Sequence, residues 1–128
     1  MTEEWKKLYD SALSVTKSHK LSKYFSVGSV GAAVLTSKGN IYTGVCIDTD
    51  CPLDICAERN ALSTMFTNGE YEVVKICAVS EDGDVIPPCG VCRAFMMRMG
   101  KNAKNIEVLI NNAGNTILFK DLIPSLWI

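Results

Sequence analysis

Cys56-Ala57-Glu58, answered further on by Pro88-Cys89-Gly90-Val91-Cys92, is the stretch of this sequence whose residue types and spacing can do chemistry. A catalytic zinc keeps three protein ligands and leaves its fourth position to water. Cys56, Cys89 and Cys92 can supply the three thiolates. Glu58 lies two residues after the first of them, near enough to reach that water without coordinating the metal. One carboxylate so placed does general acid–base work, taking a proton from water and handing it on. Three thiolates against a dication leave the site formally anionic, which weakens bound water as an acid. Arg59 and Arg93 each follow a site residue directly and are placed to offset the excess by donating to the sulfurs.

The same cysteines allow a second construction. Cys51, Cys56, Cys89 and Cys92 could close a four-thiolate structural zinc, with no water position and no turnover. The step from Cys51 to Cys56 is wider than the Cys-x-x-Cys knuckle such modules use. Cys46 and Cys77 fall within strand patterns and read as small buried apolar residues. A carboxylate two residues past the first ligand, with Pro-Cys-x-x-Cys for the others, is the signature of zinc deaminases. Those enzymes replace an exocyclic amine by oxygen and release ammonia.

The elements that must position these residues are legible from periodicity. Residues 3 to about 19 read as an amphipathic helix, with Trp5, Leu8, Tyr9, Ala12 and Val15 on one face and Thr2 as its cap. His19, the only histidine, would stand exposed at the end of it. Residues 30–37 and 41–47 read as a hairpin around Lys38-Gly39-Asn40. A helix from about Ile55 to Thr67 stops at Asn68-Gly69, so Cys56 and Glu58 fall in its first turn, where the dipole favours negative charge. Residues 73–79 form a third strand. Pro87-Pro88 extends the approach to Cys89, and a further helix carries Cys92, Arg93, Phe95, Met96 and Met99. Residues 105–110 and 116–119 complete five strands. The expected fold is α/β: a three-layer α/β/α sandwich around a five-stranded mixed sheet, one domain over residues 1–128. If the two cysteine-bearing helices lie side by side, their N-terminal ends bring Cys56 to Cys89 and Cys92.

The 128 residues are 48% hydrophobic with six cysteines and a formal net charge of −1. Near-neutral charge and dispersed Lys and Arg argue against a nucleic-acid partner. No apolar run approaches a membrane span, and Met1-Thr2-Glu3-Glu4 opens no secretory signal. The expected setting is therefore the reducing cytoplasm, where clustered cysteines more often hold metal than pair.

From about Tyr24 onward the chain resembles the small cytidine deaminase family, including its blasticidin-S deaminase branch. The resemblance is carried by Val30-Gly31-Ala32-Ala33, Gly44, Ile55-Cys56-Ala57-Glu58-Arg59, Pro88-Cys89-Gly90-Val91-Cys92-Arg93 and Leu122-Ile123-Pro124. It implies a deaminase in nucleoside metabolism and pyrimidine salvage, with one zinc per subunit on Cys56, Cys89 and Cys92 and Glu58 as proton shuttle. The substrate it implies is a cytosine-type nucleoside, cytidine or deoxycytidine; a blasticidin-S-type nucleoside analogue is the alternative. It further implies that the Ala57 N–H meets the base carbonyl and the Pro88 carbonyl meets the leaving amine. Arg59 would neutralise thiolate charge, and Trp127 would help complete the site of a homotetramer. The sugar-binding half departs from the family: Cys46 and Asp48 stand where Asn and Glu are usual, Gly28 replaces a Phe, and Ala94 replaces a Gln. Cysteine cannot replace the paired donor and acceptor of an amide.

Overall fold

In the computed structural model, which describes residues 1–50 and 52–125, the chain runs α1 (Glu3–Ser14), β1 (His19–Ser22), β2 (Phe25–Thr36), β3 (Ile41–Asp48) and α2 (Ala57–Thr67). It continues through β4 (Val73–Ser80), α3 (Gly90–Met97), β5 (Glu107–Leu109) and β6 (Thr116–Leu118), with short 3-10 turns at Lys101–Asn105 and Phe119–Leu122.

Strand alternation sets the layers. Side chains two apart on a strand share a face. Ala32 and Val34 of β2, with Ile76 and Ala78 of β4, join the core beneath α2 and α3. Ala33 and Leu35, with Cys77 and Val79, pack instead against Trp5, Leu8 and Ala12 of α1. One helix covers one face and two cover the other, which is the expected three-layer sandwich.

Two glycines let the layers close. A Cβ on Gly31 would run into the Ala12 carbonyl of α1, and one on Gly44 would run into the Asn60–Ala61 backbone of α2. The amide of Asn60 then ties α2 to β3 by donating to the Val45 carbonyl at 3.0 Å.

The sheet has six strands rather than the expected five. Ser26 of β2 pairs with Lys20 on one side and Asp48 on the other, and Ala32 pairs with Gly44 and Ala78. So β3 runs along one edge of β2, while β1 and β4 lie end to end along its other edge. At the joint Lys17 N donates to Gly28 O and Glu81 N to Ser29 O, at 2.9 and 3.0 Å. The Ser18 hydroxyl donates to the Glu81 carboxylate at 2.6 Å. β2 and β3 are antiparallel, β4 and β5 parallel, so the sheet is mixed.

The extra strand explains the first helix's early end. α1 stops at Ser14 rather than near residue 19. The hydroxyls of Ser11, Ser14 and Thr16 turn back onto main-chain carbonyls of the last turns, which competes with helix propagation. His19 is exposed as expected, but on β1. α3 likewise ends at Met97, short of Gly100.

Candidate functional site

Cys56 and Cys89 hold the same structural position on two different helices. Each is the N-cap, with extended backbone at φ −69°, ψ 151° and φ −70°, ψ 171°, and neither side chain caps its helix. A Ser, Thr, Asp or Asn in that place would turn inward to the free N–H groups; these thiols turn elsewhere. Cys92 lies three residues past Cys89, on the same side of α3, and is 0% exposed.

The thiols converge. Cys56 Sγ and Cys89 Sγ are 3.3 Å apart although 33 residues separate them, and all three ligand atoms lie within 4.8 Å of one another. Three sulfurs about 2.3 Å from a tetrahedral zinc would stand about 3.8 Å apart, inside that spread. The donor set therefore fits zinc. Electrostatics agree. Burial pushes the Cys92 thiol well up, with the charges of Glu58, Cys56 and Cys89 adding to it. Burial and the neighbouring Cys89 also raise Cys56. Burial works against Cys89 as well, but hydrogen bonds from the Cys92 N–H, the Cys56 and Cys92 thiols and the Val91 N–H together outweigh it and lower that pKa. Such a cluster needs a cation before all three can be thiolate.

Arg59 supplies part of the compensation. Its NH2 reaches Cys56 Sγ at 4.0 Å and donates to the Asp54 carbonyl at 3.0 Å. Burial lowers its pKa, yet Cys56 and Cys92 outweigh burial and raise it overall. Arg93 turns another way. Its Nε donates to the Pro88 carbonyl at 2.8 Å and its NH1 to the Leu122 carbonyl at 3.1 Å.

Beside the thiols opens a cavity of about 240 Å³. Cys56, Ala57, Glu58 and Cys89 line it, with Cys46 and Asp48 from β3. Glu58, the second residue of α2, is only 5% exposed. Burial raises its pKa against the opposing pull of its own N–H and of Arg59. Six of the residues singled out from the sequence thus meet at one hollow. Pro87, rather than Pro88, lines it. Val30, from the quoted Val30-Gly31-Ala32-Ala33 motif, lines it too, as do Ser29, Asp54 and Ile86, which were not singled out. Their only signal in the sequence is adjacency, before Val30-Gly31-Ala32-Ala33, before Cys56 and before Pro88-Cys89. Cys46 is buried as expected, but it is also bonded to polar partners: Val30 N at 3.3 Å, the Ser29 hydroxyl at 3.1 Å and the Asp48 carboxylate at 3.7 Å. Cys77 is buried, its thiol pushed up to about 12 mainly by desolvation. Cys51 and Trp127 lie outside the described residues, and so does the four-thiolate arrangement that would need Cys51.

Comparison with known proteins places this geometry. The model of the cytidine and deoxycytidylate deaminase zinc-binding region matches residues 2–108. A cytidine deaminase of Halalkalibacterium halodurans is 37% identical over 76 residues, covering 59% of this chain and 58% of that protein. Cytidine deaminase 6 of Arabidopsis thaliana is 37% identical over 108 residues, 81% of this chain and 34% of that one. The chain thus spans about half or less of these curated relatives' length. The crystal structure of a cytidine deaminase from Burkholderia pseudomallei superposes with a TM-score of 0.75 at 28% identity, over 99% of this chain and 100% of that chain. One from Mycobacterium tuberculosis superposes at 0.80 over 98% of each, and at 23% identity shows the shared fold. A match over residues 2–108 takes in all three clustered cysteines and Glu58, so the chain belongs to the cytidine and deoxycytidylate deaminase family.

Proposed function

We propose that this chain is a zinc-dependent hydrolytic deaminase that converts a cytosine-type nucleoside, cytidine or deoxycytidine, to its uracil form and releases ammonia. The observation that carries the reading is the convergence of Cys56, Cys89 and Cys92 beside a cavity that also holds the buried Glu58. Bound by the three thiolates, one ion per subunit, zinc supplies a Lewis acid that makes water nucleophilic near neutral pH.

The protein's own residues do the rest. Glu58 takes a proton from the attacking water, delivers it to the ring nitrogen, and later passes one to the departing amine. Its burial supports this role, since a carboxyl of raised pKa gives up and recovers a proton more readily near neutrality. The Ala57 N–H, free at the start of α2, meets the base carbonyl. The Pro88 carbonyl accepts from the leaving amine with its second lone pair, the first being taken by Arg93. Arg59 offsets thiolate charge, and Cys46 and Asp48 face the sugar. A cytoplasmic homotetramer serving pyrimidine salvage is the setting the family resemblance suggests.

Ultraviolet-monitored deamination of cytidine and deoxycytidine tests the reading, with Glu58→Gln as control. Turnover that falls by about 10²–10⁴-fold in the control, at unchanged zinc content, is the expected result. Zinc-loaded protein inert toward both nucleosides sinks it.

A further inference from the structure

Away from the cysteines, we propose a second small-molecule site, around the 3-10 turn Lys101–Asn105. It binds a nucleoside triphosphate, with the phosphates against Arg98, Lys101 and Lys104 and the base on Tyr71. This site is independent of the deaminase reading. The length of α3 separates the two places: Cys89, its N-cap, and Arg98, its C-cap, stand about 14 Å apart along the axis.

Spacing gathers the cations. Arg98, Lys101 and Lys104 follow one another at three-residue steps. Side chains at i and i+3 of a 3-10 turn eclipse, so Lys101 and Lys104 leave Lys101–Asn105 on the same side. All three cations line one hollow of about 280 Å³, and among the described residues no carboxylate lines it. In a chain of formal net charge −1 this is a local excess of positive charge. Among the described residues neither Lys101 nor Lys104 forms an ion pair. The closing carbonyls of α3 attract a cation at its C-terminus, which accounts for Arg98 but not for the two lysines beyond it. Like charges held side by side repel. A polyphosphate relieves that repulsion and gains charge-assisted hydrogen bonds.

A second hollow, of about 230 Å³, adjoins the first at Gly100, Lys101 and Ala103, which line both. Gly100 sits at φ +123°, and a Cβ there would meet nothing within 4 Å. Glycine suits that angle and leaves room beside the backbone where the hollows adjoin. Together they reach the size of about 300–1,000 Å³ usual for small-molecule sites. Tyr71 lines the second hollow and is 72% exposed. Phe66 stacks on it with ring centroids 6.4 Å apart and planes at 19°, so protein backs one face and the other is left to a ligand. Any base can stack on such a ring. Glu72, on the Tyr71 side, repels phosphate and so sets which end of the ligand lies where.

The test is calorimetric titration of the zinc-loaded full chain with ATP, adenosine and inorganic tripolyphosphate, at neutral pH and low salt without added magnesium. A purine nucleotide keeps the titration clear of cytosine chemistry. ATP should bind about tenfold more tightly than either fragment, since each fragment makes only part of the contacts. Lys101→Ala combined with Lys104→Ala should bring ATP down to the level of adenosine. Tyr71→Ala should bring it to that of tripolyphosphate, while Tyr71→Phe keeps full binding. Zinc content and melting temperature should stay unchanged in these variants, which a loss through misfolding would not allow. ATP binding that survives both the lysine and the Tyr71→Ala substitutions places the nucleotide elsewhere and overturns the inference. Tripolyphosphate binding as tight as ATP also overturns it, leaving an anion patch with no base on Tyr71. So does the absence of ATP binding at millimolar concentration. Inertness toward cytidine, by contrast, defeats only the deaminase reading.

Discussion

Arg93 Nε donates to the carbonyl of Pro88 at 2.8 Å while the same guanidinium reaches Leu122 O at 3.1 Å. One side chain thus fixes the residue that precedes a clustered cysteine and fastens it to the C-terminal segment. Lysine keeps the charge but presents a single ammonium that cannot fork across two carbonyls. Arg93→Lys should therefore cost about 1–2 kcal/mol in urea denaturation and lower kcat more than zinc content. A variant with both unchanged would show that the fork holds nothing in place.

Zinc should stabilise as well as activate. Cys56 belongs to α2 and the other two thiols to α3, so an ion shared among them clamps helices that otherwise meet through side-chain packing. Free zinc at about a hundred times its dissociation constant adds about 2.7 kcal/mol. The melting temperature should fall on treatment with a chelator and return with one equivalent of zinc. In Cys92→Ser the zinc-dependent part of that rise should be largely lost. Native mass spectrometry reads the stoichiometry.

Gly44 bears on the site from below. The α2 backbone occupies the space a methyl group would need, so Gly44→Ala must push the helix off the sheet. Overpacking of this kind costs about 1–3 kcal/mol. Because Cys56 caps that helix, zinc affinity should fall alongside stability. A competition titration with a chromophoric chelator reads this directly.

Glu70 gives the fold an acid limit far from the cavity. This carboxyl is 6% exposed. The neighbouring Thr36 hydroxyl, then Tyr42 and Asn40, lower its pKa from the ordinary 4.5; Tyr42 OH lies 2.6 Å away. A depressed folded-state pKa contributes stability that is present above pH 4.5 and is lost as pH drops through the folded value. Tyr42 has the opposite sign: its hydrogen bond to Glu70 raises its pKa above 10.0, so its contribution is present below pH 10 and fades at higher pH. Urea midpoints measured across both ranges should lose these two slopes in Glu70→Gln.

The cysteine trio was legible because its geometry is nearly local. Cys89 and Cys92 share a helical face by spacing alone, and two helices on one side of a sheet bring Cys56 to them. The strand expected at 73–79 declared itself as a nearly continuous apolar run, because its two faces meet two different cores. β1 did not, since His19, Lys20, Leu21 and Ser22 are all exposed and bury nothing that a pattern could register. The tether from Cys46 to Asp48, and the turn of Arg93 toward Pro88 rather than sulfur, depend on which residues the folded chain brings alongside. Composition carries no trace of either.

β1 shares an edge of β2 with β4, and the two meet at the Ser18–Glu81 hydrogen bonds. A strand with no buried side chain and its own stretch of backbone partners can open without disturbing the strand in line with it. Opening of β1, at the rim next to Asp48, should therefore leave α2 and α3, which carry the clustered cysteines, in place. In hydrogen exchange, amide protons of residues 19–22 should exchange through this local opening, whereas those of β4 should wait for the whole sheet to come apart.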